Sequence, residues 1–207
     1  MILAPGFAGA AFGTAADGDR SVSESRRCIA ATLGIPDTWA WLRQKHGNRV
    51  LRATEPGLAG DGDGLVTTAD GLPLAVATAD CFAVVLEGDG GVGIAHAGWR
   101  GVAAGVVGST RRALEDLGVN LRRAAIGPGI GPCCFEVGAD AAGVFGDYLG
   151  RTTWGTRSID LVAAIEHELS GLEVWAAGEC TMCGEGFHSF RRDGTRQRQV
   201  ALAWLTA

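Results

Sequence analysis

Apolar positions in this chain fall into short runs separated by turn residues. The runs at 74–79, 82–86, 92–96, 124–126, 174–177 and 200–204 have strand length and turn-like flanks, so they predict β-strands. The stretch from Leu74 to His96 predicts a hairpin whose turn lies in Glu87-Gly88-Asp89-Gly90-Gly91, because Gly and Asp supply the backbone freedom that such a turn needs. That reading puts Cys81 inside the first long strand and His96 near the end of the second. Three stretches switch to helical spacing. Ser21-Val22-Ser23-Glu24 reads as a capping box, followed by Ile29, Ala30 and Leu33 on one face. A helix over 101–117 carries Val102, Val106, Ala113, Leu114 and Leu117. Ser158 reads as the cap of a helix with Leu161, Val162, Ile165 and Leu169 inward and Asp160 in its first turn. Residues 57–64, Gly-Leu-Ala-Gly-Asp-Gly-Asp-Gly, read as a loop. Strands interleaved with helices predict an α/β or α+β fold.

The composition narrows this picture. With 207 residues and no internal repeat or low-complexity linker, the expectation is one domain over 1–207. Hydrophobic residues at 47% and charged residues at 20% are those of a chain that folds. The net charge of −5 gives no basic field for nucleic acid or an anionic membrane, so neither is an expected partner. The pairs Arg111-Arg112 and Arg122-Arg123 read as solvated faces. The N-terminal stretch lacks the basic start of a signal peptide. The most apolar run, 72–86, is interrupted by Asp80 and is too short to span a bilayer. A cytoplasmic location is expected, with the six cysteines reduced. No heptad or apolar docking stripe appears, so a monomer is expected.

The candidate chemistry lies in a few polar groups set among apolar ones. Of four histidines, His46 follows a strand-like run within Gln44-Lys45-His46-Gly47, and His96 ends a buried-looking strand within Ala95-His96-Ala97-Gly98-Trp99-Arg100-Gly101. Thr78-Ala79-Asp80-Cys81 sets a carboxylate and a thiol inside an apolar run, which is costly unless they are paired or bind a metal. Two imidazoles and one thiolate suit a catalytic zinc, which takes three protein ligands and leaves one position open. Spacings of 35 and then 15 residues along the chain are too long to decide the matter. On these residues alone, a free buried cysteine near a core histidine is the better account. Cys180-Thr181-Met182-Cys183 has no second Cys-x-x-Cys to complete a metal site, and adjacent Cys133 and Cys134 are poorly placed to chelate one ion together. All four read as core or pocket-lining thiols. Gly127-Pro-Gly-Ile-Gly131 lacks the lysine and hydroxyl residue of a phosphate loop. His167 reads as an exposed helical residue. Arg191, beside Arg192, reads equally as a guanidinium for phosphate or another anion and as half of a surface salt bridge.

Several segments, in order, resemble the laccase-domain family of bacterial purine nucleoside phosphorylases, formerly called multicopper polyphenol oxidases and in some cases peptidoglycan editing factors. They are Gln44-Lys-His-Gly47, Asp63-Gly-Leu-Val-Thr67, Thr78-Ala-Asp-Cys81, Ala95-His-Ala-Gly-Trp-Arg-Gly101, the run from Ile126 to Gly138, Cys180-Thr181 and Phe187-His-Ser-Phe-Arg-Arg-Asp193. The resemblance implies a zinc centre on His46, Cys81 and His96, with copper as a possible substitute ion. It implies a layered α/β/β/α sandwich like that of certain cysteine-dependent toxin deamidases. It also implies phosphorolysis of adenosine, inosine and methylthioadenosine and deamination of adenosine, with a purine nucleoside and phosphate as the small-molecule partners. On that reading Cys81 and His96 belong to the catalytic centre, Asp80 is the candidate acid/base, and Gln44, Arg100 and Arg191 are the substrate-binding candidates.

Some positions depart from the family pattern. The N-terminal stretch before Asp17 is shortened, Lys45 replaces a hydrophobic residue, His188 stands where phenylalanine is usual, and Thr195-Arg196-Gln197 replaces Thr-Gly-Arg. Two other enzyme readings compete with the zinc one. A metal-free cysteine hydrolase or amidase would use Cys81 as nucleophile and His96 as base, acting on a peptidoglycan precursor, but it leaves His46 unused. Copper-dependent phenol oxidation would need more histidines than the chain has. A non-enzymatic role beside an envelope or cell-division partner would leave a metal-loaded site without turnover.

Overall fold

The computed structural model describes residues 1–19 and 23–206. The strands are β1 (Ile2–Leu3), β2 (Ala10–Phe12), β3 (Ala40–Arg43), β4 (Val50–Arg52), β5 (Gly57–Asp61), β6 (Gly64–Thr67), β7 (Leu74–Thr78), β8 (Phe82–Gly88), β9 (Gly91–Ala97), β10 (Leu121–Ile126), β11 (Leu149–Arg151), β12 (Arg157–Ile159), β13 (Glu173–Ala176) and β14 (Gln199–Ala203). The helices are α1 (Ser23–Leu33), α2 (Trp99–Ala103), α3 (Val106–Glu115), α4 (Ala139–Val144), α5 (Leu161–Glu168) and α6 (Phe190–Asp193). Among the described residues, one six-stranded sheet runs β1-β2-β14-β7-β3-β5, a second runs β13-β10-β8-β9-β6-β4, and β11 and β12 form a small ribbon.

Strand alternation sorts the side chains into layers. From the first sheet, Phe12, Leu42, Leu74, Val76, Ala201 and Ala203 point inward and meet Ala83, Val85, Val92, Ile94 and Ala125 of the second. The alternate residues of the first sheet, Ala11, Ala75, Val200 and Leu202, pack under Ile29 and Ala30 of α1. On the far side, Phe82, Val84 and Leu86 of β8 face Val106, Val107 and Leu114 of α3 and Leu161 and Ile165 of α5. The order is helix, sheet, sheet, helix, and it explains why the central strands are apolar on both faces.

The expected hairpin is β8–β9, closed at Gly88–Gly91. Several expectations need correction. Cys81 is not inside a strand: β7 belongs to the first sheet and β8 to the second, and residues 79–81 make the crossing. Asp80 turns the chain there with φ 83°, a left-handed conformation that few non-glycine residues adopt. The helix expected over 101–117 is broken into α2 and α3 at Gly105, whose φ is 78°. Ser158 lies in β12, and the cap of α5 is Asp160, whose side chain accepts the Ala163 N–H at 3.1 Å. The glycine-rich stretch from 57 holds an edge strand, β5, parallel to β3, followed by β6. Ser21, the expected cap of α1, lies outside the described residues.

Candidate active site

The end of β3, the end of β7, the start of β8 and the end of β9 converge at one edge of the sandwich. Ala83 pairs with His96 and Phe82 with Ala97 in the β8–β9 register, so Cys81 falls level with Gly98. The turn after β3 brings His46 to the same place. His46 has φ 60°, a strained conformation for a residue with a side chain, of the kind that recurs at functional sites. The ligand atoms of His46, Cys81 and His96 all lie within 4.8 Å of one another. The His46 and His96 rings meet edge to face with centroids 4.8 Å apart.

Asp63 builds this geometry, and the sequence reading did not single it out. Its carboxylate is 1% exposed. It accepts the backbone N–H groups of Lys45 (3.1 Å), His46 (2.9 Å) and Gly47 (2.8 Å), and so fixes the turn that carries His46. It also lies 2.8 Å from His96 Nδ1. A carboxylate only accepts, so Nδ1 carries the proton and Nε2 is left as the ligand atom. Burial works against the Asp63 carboxylate, but hydrogen bonds from His96, Gly47, His46 and Lys45 hold its pKa below the usual value. Asp63 begins the Asp63–Thr67 segment, but its setting in a Gly-Asp-Gly-Asp-Gly run made it look like a loop residue.

Charge within the trio is coupled through its hydrogen bonds. Burial opposes the Cys81 thiolate, yet hydrogen bonds from His46 and His96 outweigh it and bring the thiol down to about 6. Burial would lower His96, but its hydrogen bonds to Asp63 and Cys81 raise it to about 9. Without metal, thiolate and imidazolium therefore stabilise each other, and a metal that bound there would displace the proton on His96 Nε2. Gly98 closes the site from below: a Cβ there would lie 2.8 Å from Cys81 Sγ and 3.1 Å from His46 Cδ2.

The trio opens into a cavity of about 710 Å³, the size of a small-molecule site. Trp41, Trp99, Phe135 and Phe190 line it together with Arg43, Arg100, Arg191 and Arg198. The Arg100 guanidinium stacks on Trp99 at 4.4 Å, and no carboxylate or carbonyl engages it among the described residues. Arg191 stacks on Phe135 at 5.4 Å and donates to the Glu136 carbonyl at 2.8 Å.

Asp80 and Gln44 line the cavity too, but their polar atoms are engaged. Asp80 accepts from Thr181 Oγ1 at 2.8 Å and from the Arg191 N–H at 2.7 Å. The Gln44 amide donates to the Ala77 carbonyl at 2.8 Å and accepts the Ala77 N–H at 2.9 Å. These bonds hold backbone that lines the cavity. Asp80 holds the Arg191 backbone, and Gln44 ties the end of β3 to β7.

Residues 5–206 match the family model described as multi-copper polyphenol oxidoreductase laccase. A purine nucleoside phosphorylase of Deinococcus radiodurans is 37% identical over 213 residues, covering 96% of this chain and 83% of that protein. Purine nucleoside phosphorylase YfiH of Escherichia coli K12 is 33% identical over 202 residues, covering 91% and 83%. Among solved structures, YlmD from Geobacillus stearothermophilus superposes with a TM-score of 0.86 at 29% identity, covering 99% of this chain and 94% of that one. The Bacillus licheniformis hypothetical protein YfiH gives 0.85 at 25% identity, covering 95% and 92%.

Proposed function

Because the chain belongs to the multi-copper polyphenol oxidoreductase laccase family, whose relatives include named purine nucleoside phosphorylases, we propose that it is a zinc-dependent purine nucleoside phosphorylase that also deaminates adenosine. The observation that carries this reading is the placement of a metal-ready His46–Cys81–His96 trio in a cavity walled by aromatic rings and arginines.

The donor set fits zinc, since His46, Cys81 and His96 offer two imidazoles and one thiolate, the three protein ligands a catalytic zinc uses. Bound there, zinc would supply Lewis-acid chemistry. The remaining work falls to the chain. Aromatic side chains of the wall offer faces for a purine, and Arg100 and Arg191 offer cationic groups for phosphate. In phosphorolysis a phosphate oxygen bonds to the ribose anomeric carbon as the bond to the purine nitrogen breaks, giving free base and ribose 1-phosphate. Holding both substrates in one cavity converts that encounter into an intramolecular one. In deamination water adds at the carbon bearing the amino group and ammonia leaves. Asp63 keeps His96 and His46 in place in both reactions.

The test is metal content together with turnover of adenosine, inosine and methylthioadenosine, with and without phosphate. About one zinc at the trio, lost in Cys81→Ala along with phosphate-dependent base release, is the expected result. Freshly prepared protein with no metal at the trio, inactivated by thiol alkylation and indifferent to chelators, would replace this reading with the cysteine hydrolase in which Cys81 attacks and His96 is the base. Zinc at the trio without nucleoside turnover would remove the substrate assignment.

A further inference from the structure

We propose that Cys133, Cys134, Cys180 and Cys183 form a second metal centre, a structural tetrathiolate site that takes zinc and lies apart from the His46–Cys81–His96 trio. Their sulfur atoms all lie within 4.8 Å of one another. Cys183 Sγ is 3.1 Å from Cys134 Sγ and 3.5 Å from Cys133 Sγ. Zinc–sulfur bonds of ~2.3 Å in a tetrahedron put the sulfurs ~3.8 Å apart, so a metal ion would need only sub-ångström to one-ångström adjustments of these side chains. Four soft thiolates select zinc, or iron, over harder ions.

The fold brings together the four cysteines that the sequence reads as core or pocket-lining thiols. Cys133 and Cys134 are not in a strand, where adjacent side chains would diverge. They sit in a turn closed by the Cys134 N–H on the Gly131 carbonyl at 3.0 Å, and both reach Cys183. A bridge between Gly129 and Cys180 brings the Cys-x-x-Cys segment alongside. That segment is itself a turn, with the Gly184 N–H on the Cys180 carbonyl at 2.8 Å. Three backbone N–H groups point at Cys180 Sγ: those of Met182 and Cys183 and that of Gly131, at 3.2 Å. Donors focused on one sulfur are what a ligating thiolate requires around it. A Cβ at Gly131 would crowd Cys133 Sγ at 3.3 Å. Cys183 is exposed and Cys133 and Cys180 are half-buried, which gives an ion a way in from solvent.

The centre would clamp the wall of the substrate cavity. Thr181 lies between the two cysteines of the Cys-x-x-Cys turn, is fully buried, and donates to Asp80, the neighbour of Cys81. Phe135, next to Cys134, carries the Arg191 guanidinium. Joining the 131–134 and 180–183 turns through one ion therefore fixes Asp80, Phe135 and Arg191 relative to each other. The ion takes no part in chemistry there, because its four positions are filled by protein.

The test is metal analysis of protein purified under reducing conditions, by mass spectrometry, on wild type and four variants. Wild type is expected to hold about two thiophilic ions per chain, and Cys81→Ala and Cys180→Ser about one each. Cys183→Ser changes an exposed residue and is expected to fold, with the same loss of one ion; Cys28→Ser, an exposed cysteine elsewhere, should lose none. Reconstitution of metal-free protein with cobalt(II) should give the intense near-ultraviolet thiolate charge-transfer band of a four-sulfur site, diminished in Cys183→Ser and retained in Cys81→Ala. Iron in place of zinc, lost with the same substitutions, would support the site and change the ion. Wild-type metal content in both Cys180→Ser and Cys183→Ser would overturn the proposal, as would a disulfide between Cys134 and Cys183 in the freshly purified protein. None of these readouts depends on nucleoside turnover.

Discussion

Asp63 and His96 are joined twice. The Asp63 carbonyl accepts the His96 N–H at 2.7 Å, and the Asp63 carboxylate lies 2.8 Å from His96 Nδ1. The backbone contact extends the pairing of β6 with β9, and the side-chain contact fixes the imidazole, so one residue sets both the position and the ring orientation of His96. Asp63→Asn keeps the size but offers one acceptor oxygen where the carboxylate offers two. Zinc affinity at the trio should fall ~10–100-fold, with activity following it at limiting zinc. Competition against a chelator of known affinity measures this, and an unchanged dissociation constant would mean that the carboxylate does not orient the ligand.

Gly98 tests the packing of the centre independently of its hydrogen bonds. Its backbone (φ −76°, ψ 161°) is open to any residue, so Gly98→Ala carries no conformational penalty. The new methyl group would lie 2.8 Å from Cys81 Sγ, well inside contact distance. Overpacking of this kind costs about 1–3 kcal/mol, so the metal-free protein should unfold at a lower temperature, and metal affinity and activity should drop because Cys81 and His46 are pushed out of place. A variant that binds zinc normally would show that Cys81 has room to move aside.

The short apolar runs between turn residues made β7, β8 and β9 legible from the chain alone, and with them the β8–β9 hairpin and the place of His96 near the end of β9. The trio was legible as residue types in odd surroundings: polar groups in apolar runs. What was hidden depended on single backbone angles. Asp80 in the left-handed region turns a seemingly continuous strand into a crossing between sheets. Gly105 breaks the helix that the apolar spacing of 101–117 predicted; the glycines at 101, 105 and 108 were the available signal. The four-thiol cluster was hidden for another reason. Its two pairs lie nearly fifty residues apart along the chain, and the continuation of the β10–β13 pairing through the Gly129–Cys180 bridge brings them together.

Asp80 is where the sequence reading and the geometry assign different roles. An acid/base must reach the proton it moves, while each Asp80 oxygen accepts one hydrogen bond from the protein, one of them from the Arg191 N–H. Asp80→Asn should therefore raise KM for phosphate, through displacement of Arg191, more than it lowers kcat, and should leave the shape of the pH–rate profile intact. Loss of one limb of that profile with KM unchanged would restore Asp80 as the acid/base.

Arg100 is the best-placed cation for phosphate, since its guanidinium stacks on Trp99 and has no anionic partner among the described residues. Arg191 already donates to Glu136, so part of its capacity is spent. A charge-assisted hydrogen bond contributes about 1.5–3 kcal/mol, which corresponds to roughly a 10- to 150-fold change in a binding constant. Arg100→Ala should raise KM for phosphate within that range and leave KM for the nucleoside within a fewfold of wild type. Arg100→Lys should recover only part of the loss, because an ammonium cannot make the paired contact of a guanidinium or stack as flatly on the indole. Initial rates over a grid of phosphate and inosine concentrations separate the two constants. If the nucleoside constant moved and the phosphate constant did not, Arg100 would belong to the base or ribose subsite, and the phosphate would have to sit against Arg191 and Arg198 on the opposite wall.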